Sequence, residues 1–330
     1  MAENPILSNW FATPGRSAYD GSPVAARTDR PGSNAERERV RNLVELNIAI
    51  VLFGGTALFA KLIDLPVSAI IFGRSAVAAL AILVFALAAR HSLRVARGRD
   101  LAVLTGLGVV LAVHWLAYFQ SIQVSTVAVG VIALHTYPIM TVLAEPLVDR
   151  TRIHVVDIGL ALVVFAGIVI LVPEFSLESS TTQGVLWGVG SAALFTVRNL
   201  TVRRYVQRYT GATIMFYQTA VSALVILPLL VVAGTVGPTL REWPLLLLLG
   251  TVFTAVTQSL YASSLRNLSA KTVSIIATLI PLYSTIMAFF VLGEVPTVRT
   301  VIGGAAVIVA VMTETVRASG RTPRDTARSE

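Results

Sequence analysis

The sequence contains no cysteine and few charged residues. Without cysteine, the chain can form neither disulfides nor thiolate metal sites. Charged residues make up 13% of the 330 residues, whereas soluble domains carry about 25%. No phosphate-binding loop, metal-ligand spacing or nucleophile elbow occurs in the sequence. We therefore expect no metal ion, no cofactor and no soluble globular fold.

Long apolar segments dominate what is present. Hydrophobic residues make up 55% of the chain, and the mean hydropathy is +0.75. The apolar runs are each long enough to cross ~30 Å of hydrocarbon, so the sequence predicts an all-α integral membrane protein with ten transmembrane helices. We expect these helices at about 43–63, 67–89, 101–120, 124–147, 154–172, 183–202, 212–233, 243–263, 270–292 and 297–315.

The distribution of charge predicts the orientation of these helices. The net charge of +8 comes mainly from arginines in one set of loops and in both tails. In the alternate set of loops, the only basic residues are Lys61, Arg241 and Arg299. By the positive-inside rule both termini are cytoplasmic and the protein lies in the cell membrane. We expect residues 1–40 to be a disordered cytoplasmic tail and residues 316–330 to be a second cytoplasmic tail, with no nucleic-acid partner.

The sequence of the first half returns in the second. Tyr118 precedes Pro138 by 20 residues, and Tyr261 precedes Pro281 by 20 residues. Residues 69–83 also align with 213–227 at an offset of 144. The halves, 43–172 and 183–315, each hold five predicted spans, and five is odd. The second half would therefore enter the membrane in the opposite sense, giving a 5+5 inverted-topology repeat of the kind common in secondary transporters.

Several motifs resemble those of a known family. They are F-G-G-T-A-L-F-A-K at 53–61, F-G-R-S-A-V-A-A-L at 72–80, L-Y-A-S-S-L-R-N-L-S-A at 260–270, I-P-L-Y-S-T-I-M-A-F-F-V-L-G-E at 280–294 and G-G-A-A-V-I-V-A at 303–310. With these motifs the chain resembles the drug/metabolite transporter superfamily, in particular members with two EamA domains. The resemblance implies ten helices around a central cavity and the movement of small organic solutes, often amino acids or related metabolites, frequently outward.

One position departs from the repeat. Glu294 lies 13 residues after Pro281, whereas the residue 13 positions after Pro138 is Thr151. The first half instead places Glu145 earlier, inside the fourth helix. Either the acidic motif is lost in the first half, or Glu145 has taken up another role.

Charged groups inside hydrocarbon are candidates for function because burying them is costly. Glu145 shares one face of the fourth helix with Tyr137 and Thr141, at spacings of four residues. It is a candidate protonatable carboxylate or contact for a substrate amine. The alternative is a carboxylate at the headgroup level, paired with Arg150 or Arg152.

Arg74 lies in the second helix, and the repeat places Gln218 at the corresponding position. Its guanidinium could bind a substrate carboxylate through two parallel hydrogen bonds. Alternatively, it extends to the outer interface or pairs with Asp64 or another carboxylate. Arg198, deep in the sixth helix, is interpreted as a structural partner.

A polar and aromatic stripe runs along the third helix, formed by His114, Tyr118 and Ser121 with Trp115 beside them. The repeat places a matching set in the second half: Thr257, Gln258, Tyr261 and Ser264. Such a stripe should face a cavity or another helix rather than lipid. His114 is either a proton relay or a hydrogen-bonded packing residue.

Pro138 and Pro281 each remove one helix hydrogen bond at equivalent places in the two halves. Such kinks help gating in transporters, although membrane helices also simply tolerate them. The neighbours of the two prolines are further cavity candidates: His135, Tyr137, Tyr283 and Ser284.

These features favour a secondary transporter that works by alternating access and exports amino acids or related neutral or zwitterionic solutes. Alternatives are a drug or nucleotide-sugar transporter of the same fold, a membrane-embedded lipid-modifying enzyme, and a non-transporting sensor. An enzyme would call for clustered histidines or carboxylates, and a sensor for a folded soluble domain, so we expect no enzymatic activity. The expected partners are a small-molecule substrate, membrane lipids and a proton as the candidate coupling ion, in a monomer or homodimer.

Overall fold

The computed structural model describes residues 33–149, 154–174, 176–205, 208–232, 237–258, 260–261, 268 and 270–318. Every regular element within these ranges is a helix. In the first half the helices are α1 (Ser33–Thr56), α2 (Phe59–Leu62), α3 (Val67–Ala88), α4 (Gly98–Val124), α5 (Val127–Leu134), α6 (Tyr137–Asp149) and α7 (Val155–Leu171). In the second half they are α8 (Ser180–Tyr205), α9 (Gly211–Val232), α10 (Glu242–Gly250), α11 (Ala270–Ala277), α12 (Ile280–Leu292) and α13 (Val298–Ala318).

Eight apolar helical segments of the described chain are long enough to cross a membrane. Two further apolar helices, Val155–Leu171 and Glu242–Val256, are shorter. The prediction of an all-helical, multi-pass membrane protein is confirmed, and all ten predicted spans correspond to apolar helices. Eight of the ten meet the length that a full crossing requires.

The first helix begins earlier than predicted. It starts at Ser33, so residues 33–40 of the predicted disordered tail are helical. Four of these eight residues are Glu or Arg, which have high helix propensity even without an apolar face. Arg41 and Glu45, one turn apart, then form an ion pair at 3.7 Å. The remaining tail predictions, residues 1–32 and 319–330, lie outside the described residues.

Both predicted proline kinks are full helix breaks. The first apolar pair, α5 and α6, is interrupted at His135 and Thr136, and the second pair, α11 and α12, at Thr278 and Leu279. Pro138 and Pro281 each stand at the second position of the new helix, where a missing N–H costs no helix hydrogen bond. The carbonyl groups at the end of the preceding helix lose their regular helical partners at the break, and a hydroxyl bonds one of them: Thr278 Oγ1 donates to Ile275 O at 2.6 Å.

A second irregularity follows α10, where residues Thr251–Val256 form a π-helical turn. Its threonine hydroxyls bond five residues back along the chain. Thr254 Oγ1 donates to Leu249 O at 2.7 Å, and Thr257 Oγ1 donates to Val252 O at 2.8 Å. The wider turn therefore carries its own side-chain hydrogen bonds and directs Thr254 into the protein, where it is 1% exposed.

The halves are joined by helix contacts that occur in reciprocal pairs. α3 packs on α10 where a Cβ on Gly250 would lie 2.6 Å from Val77 Cβ. α9 packs on α4 where a Cβ on Gly108 would lie 2.5 Å from Val221 Cβ. Glycine at both places lets the backbones approach closely, which is how membrane helices gain van der Waals contact.

Candidate functional site

A cavity of about 220 Å³ lies at the break between α5 and α6. Residues from α6, α8 and α13 form its wall together with the breaks of both interrupted helices. The lining residues are His135, Tyr137, Pro138, Thr141, Asn199, Tyr261, Ala277, Thr278, Val311 and Thr315. Five of these were predicted from the sequence: His135, Tyr137, Pro138, Thr141 and Tyr261.

The helix break orients the polar groups of the cavity. His135 Nδ1 lies 2.7 Å from Val131 O. Because a carbonyl oxygen only accepts, Nδ1 carries the proton, and Nε2 of the neutral ring is then an acceptor. The Tyr137 ring is 6.0 Å from the His135 ring, measured between centroids. The break thus places one imidazole acceptor and one phenol side by side.

Threonines tie the cavity wall to α8. Thr196 Oγ1 donates to Tyr137 O at 3.2 Å, and Thr141 Oγ1 donates to the same carbonyl at 2.8 Å. This carbonyl lies in the first turn of α6, directly before Pro138. The two hydroxyls therefore fix the start of α6 against α8.

A second polar group, made of residues outside the cavity lining, surrounds Arg74 on α3. The residue is 4% exposed. Its Nε donates to Thr254 Oγ1 at 2.9 Å, and its guanidinium carbon lies 4.0 Å from the centroid of the Trp115 ring. Burial contradicts the alternative that Arg74 extends to the interface, because Trp115 and the π-helical turn hold it inside the protein.

Gln218 occupies the corresponding position on α9 and is fully buried. It does not meet Arg74. Its Oε1 accepts from Arg198 Nε at 2.8 Å, so the interpretation of Arg198 as a partner fits this contact. Gln218 Nε2 is buried without a hydrogen-bond partner in the part of the chain that the structure describes.

A row of rings connects this group with the cavity. Phe195 on α8 stacks on His114 at 4.9 Å and meets Tyr137 edge-on at 4.8 Å, between centroids. His114 Nδ1 is 3.0 Å from Ser191 O, and the Ser191 hydroxyl donates to His114 O at 3.0 Å. These contacts favour the interpretation of His114 as a hydrogen-bonded packing residue. The ring of Tyr118, one turn further along α4, is nearly parallel to that of His114, with 6.4 Å between the centroids.

Other predicted site residues lie elsewhere. Ser284 Oγ donates to Gly54 O at 3.0 Å, so it joins α12 to α1, and Tyr283 packs beside it. Thr257 is fully buried and bonds within its own helix, and Gln258 is half-buried. Ser121 Oγ donates to Gly184 O and so holds α4 against α8. Ser264 lies outside the described residues.

The acidic positions have unequal surroundings. Glu145 is half-buried on α6, and the expected partners Arg150 and Arg152 lie outside the described residues. Glu294, in the turn after α12, accepts a hydrogen bond from Val127 N at 2.8 Å. It therefore caps α5, a helix of the other half, where the unpaired N–H groups favour negative charge. The sequence singled out Glu294 without indicating this partner.

At one end of the bundle, outside the apolar segments, Tyr209 donates a hydrogen bond to Asp100 Oδ2 at 2.7 Å. That bond favours the protonated phenol, and with desolvation it raises the pKa of Tyr209 above its ordinary value. Arg208 Nη1 lies 3.7 Å from Asp100 Oδ1. The loop between α8 and α9 is thus fastened to the start of α4.

Sequence reasoning missed half of the cavity lining, namely Asn199, Ala277, Thr278, Val311 and Thr315. Thr278 could have been found, because the break that it forms repeats the one at His135. Thr254, which contacts Arg74 and does not line the cavity, carries no such signal, since only the π-helical turn directs it towards Arg74. The remaining four missed residues of the cavity lining lie in helices where the sequence does not show which face meets the cavity: Asn199, Ala277, Val311 and Thr315.

Comparison with known proteins places the chain among transporters. Two segments, 46–172 and 182–313, each match the EamA-like transporter family. The chain is 23% identical to the uncharacterized transporter YxxF of Bacillus subtilis, over 88% of this chain and 94% of the relative. It is 30% identical to the pseudopaline exporter CntI of Pseudomonas aeruginosa, over 74% of this chain and 85% of the relative. A solved crystal structure that is 17% identical shares the fold with a TM-score of 0.60, covering 86% of this chain and all of that chain.

Proposed function

Because the chain belongs to the EamA-like transporter family, we propose that it carries small polar metabolites, such as amino acids, across the cell membrane by alternating access. Export is the proposed direction, and the likeness to a protein described as an exporter supports it. Membership of a transporter family agrees with the expectation that the chain is not an enzyme. With both termini cytoplasmic, as the positive-inside rule predicts, export would run from the side of the tails to the opposite side.

The observation that carries this proposal is the cavity between the two family segments. Residues 46–172 contribute His135, Tyr137 and Thr141, and residues 182–313 contribute Asn199 and Thr278. Its volume of about 220 Å³ is below the roughly 300–1,000 Å³ of pockets for drug-sized ligands. This size favours a metabolite over a drug or a nucleotide-sugar.

Alternating access requires two packing units that can rock around a fixed site, and the reciprocal contacts of the two halves support an inverted repeat. Helix α3 meets α10 at Gly250, and α9 meets α4 at Gly108. Both interrupted helices also reach the cavity at their breaks, as discontinuous helices do in other carriers. Proton coupling through Glu145 remains a prediction, which an imposed pH gradient would test.

Filling the cavity should stop transport. Ala277 lines it, and Ala277→Leu would place a branched side chain in the space that a solute needs. We expect uptake and counterflow of labelled amino acids in proteoliposomes to fall at least about tenfold, because the leucine side chain would occupy volume that the solute needs in order to bind, and tenfold weaker binding corresponds to about 1.4 kcal/mol. The measurement is initial rate with and without a pH gradient.

The matched control is Ala102→Leu, which adds the same side chain on the exposed face of α4. Its transport rate should equal that of the unaltered protein. Equal rates for both variants would show that solute does not pass through this cavity. No movement of any amino acid by folded protein would overturn the proposed substrate class.

A further inference from the structure

We propose that Arg74, Arg198 and Gln218 form a binding subsite for carboxylate groups, so that the transported solute carries net negative charge. The inference rests on the proposed transport function and narrows its substrates to acidic amino acids and similar small organic anions. It departs from the sequence-based preference for neutral or zwitterionic solutes, because the structure shows what surrounds the two arginines.

The first step is the charge balance. Arg74 is 4% exposed and Arg198 is half-buried, and both lie within apolar helices. Across the part of the chain that the structure describes, neither forms an ion pair with a carboxylate. Guanidinium groups stay protonated in proteins. Two positive charges thus stand inside the membrane-spanning region without an anionic partner among the described residues, although buried charges are ordinarily paired.

The second step is the orientation of Arg74. The Trp115 ring covers one face of its guanidinium at 4.0 Å, and Thr254 Oγ1 occupies Nε at 2.9 Å. What remains for a ligand is the edge that carries Nη1 and Nη2. Two parallel N–H groups on one edge match the two oxygens of a carboxylate. The ring and the hydroxyl therefore position this fork before any solute arrives.

The third step is the unused donor of Gln218. Arg198 Nε donates to Gln218 Oε1 at 2.8 Å, which fixes the direction of the amide. The amide nitrogen Nε2 is fully buried and has no acceptor among the described residues. A buried donor without an acceptor is unfavourable unless a ligand supplies one. Gln218 thus adds a third donor, and an incoming anion is the complementary acceptor.

The two arginines are linked through the rings between them. Arg74 lies on Trp115, whose neighbour His114 stacks on Phe195, and the Arg198 guanidinium carbon lies 5.8 Å from the Phe195 centroid. Asn199, next to Arg198, lines the cavity. An anion that enters the cavity is therefore attracted towards the side where Tyr137 and Asn199 lie, behind which the two arginines stand.

The donor set decides the substrate class. Both guanidinium groups and Gln218 Nε2 only donate, so the subsite offers nothing to an ammonium group. Its two positive charges match two carboxylates, whereas a zwitterionic amino acid supplies only its α-carboxylate. Aspartate and asparagine make the sharpest pair of probes, because they differ by one carboxylate charge at nearly equal size. We expect purified full-length protein to bind aspartate at least about tenfold more tightly than asparagine.

Binding and transport are measured separately. Binding is read from the rise in thermal unfolding temperature with aspartate, asparagine or inorganic phosphate. Transport is read from counterflow of labelled aspartate and asparagine in liposomes. Arg74→Gln and Arg198→Gln should each weaken aspartate binding more than asparagine binding and so remove the preference for aspartate. Arg94→Gln, at an exposed loop position, is the matched control and should change neither reading.

The outcomes separate this inference from the proposed function. Transport of asparagine and other zwitterions with no preference for aspartate would overturn the anion subsite and leave the carrier standing. Aspartate binding without movement of any solute would support the subsite and overturn the carrier. Stronger stabilisation by phosphate than by aspartate would overturn the assignment to carboxylates. If Arg74→Gln does not fold, the wild-type preference and Arg198→Gln still decide the question.

Discussion

The two family segments, 46–172 and 182–313, pack alike but differ in their polar residues. At the packing positions, Val77 and Gly250 form the same contact as Val221 and Gly108. At the polar positions the first segment has Arg74 where the second has Gln218. The comparison shows that similar glycine–valine contacts hold helices together in both places, whereas Arg74 and Gln218 give the two segments different polar groups.

The same division holds along the third helix of each segment. His114 and Trp115 on α4 correspond to Thr257 and Gln258, so these two rings have no counterpart in the second segment. The second segment contributes the π-helical turn, which brings Thr254 to Arg74. The first segment thus supplies the rings around Arg74, and the second supplies the hydroxyl that binds it. The buried polar site is therefore asymmetric, although the two segments match the same family.

The largest effect should come from breaking the shared packing. A Cβ on Gly108 would lie 2.5 Å from Val221 Cβ, and one on Gly250 would lie 2.6 Å from Val77 Cβ. We expect Gly108→Ala and Gly250→Ala each to lower the free energy of unfolding by about 1–3 kcal/mol, because a helix pair must separate. Equal losses, measured by unfolding of the purified protein in detergent, would confirm that the two contacts are equivalent.

Gly106→Ala is the control, since nothing lies within 4 Å of a Cβ at that position in the same helix. It should stabilise the protein by about 0.5–1 kcal/mol through helix propensity. The combination Gly108→Ala with Val221→Ala should recover most of the loss. A loss at Gly108 without one at Gly250 would break the comparison, because the two contacts would then not be alike.

A smaller effect is expected where one segment caps the other. Glu294 Oε2 accepts from Val127 N, and Thr126 Oγ1 accepts from Val129 N at 3.2 Å. Glu294→Ala should lower stability by about 1 kcal/mol, the usual cost of losing a cap. Glu294→Gln keeps an acceptor oxygen and should cost less. The measurement is the same detergent unfolding series.

The position that corresponds to Glu294 in the first segment is Thr151, so this cap belongs to one segment only. The paired control is Thr126→Ala, which removes the local cap of the same helix. If Glu294→Ala has no effect while Thr126→Ala destabilises, the contact between segments contributes nothing and the local cap is sufficient.

Much of the fold could be predicted because membrane helices leave a strong signal. Apolar runs located the ten helices, and the equal spacing of Pro138 and Pro281 from their tyrosines located both helix breaks. The site was predicted in part. The sequence identified His135 and Tyr137, because polar residues beside a break are rare in an apolar segment.

What the sequence could not show are contacts made across the halves. An arginine in an apolar run is equally compatible with the interface and with the interior, and only Trp115 and Thr254 place Arg74 inside. The sequence also does not show which end of the Gln218 amide lacks a partner, because the hydrogen bond from Arg198 decides it. Helix packing also allows a residue such as Ala277 to line a cavity, although its chemistry gives no sign of it.

The smallest effect should appear at the opposite end of the bundle from Glu294. Asp100, at the start of α4, is bound by Tyr209 and Arg208 of the second segment. Glu242 lies at the start of α10 and accepts a hydrogen bond from Thr239 N at 2.6 Å, within its own segment. The acid of the first segment therefore joins the two segments, whereas that of the second caps its own helix.

Tyr209→Phe removes the hydrogen bond to Asp100, and we expect a loss of about 0.5 kcal/mol at neutral pH. Because the pKa of Tyr209 is raised in the folded protein, the protonated phenol stabilises it fully below the ordinary tyrosine pKa of about 10. That contribution disappears as pH rises through the raised value, since the phenolate then faces the Asp100 carboxylate. Unfolding measured from pH 7 to 11 should therefore show a difference between unaltered protein and Tyr209→Phe that shrinks at the alkaline end. Tyr205→Phe, one turn earlier in α8, is the control for losing a tyrosine hydroxyl. If the difference in unfolding free energy between unaltered protein and Tyr209→Phe stays constant from pH 7 to 11, the hydrogen bond to Asp100 does not contribute to stability.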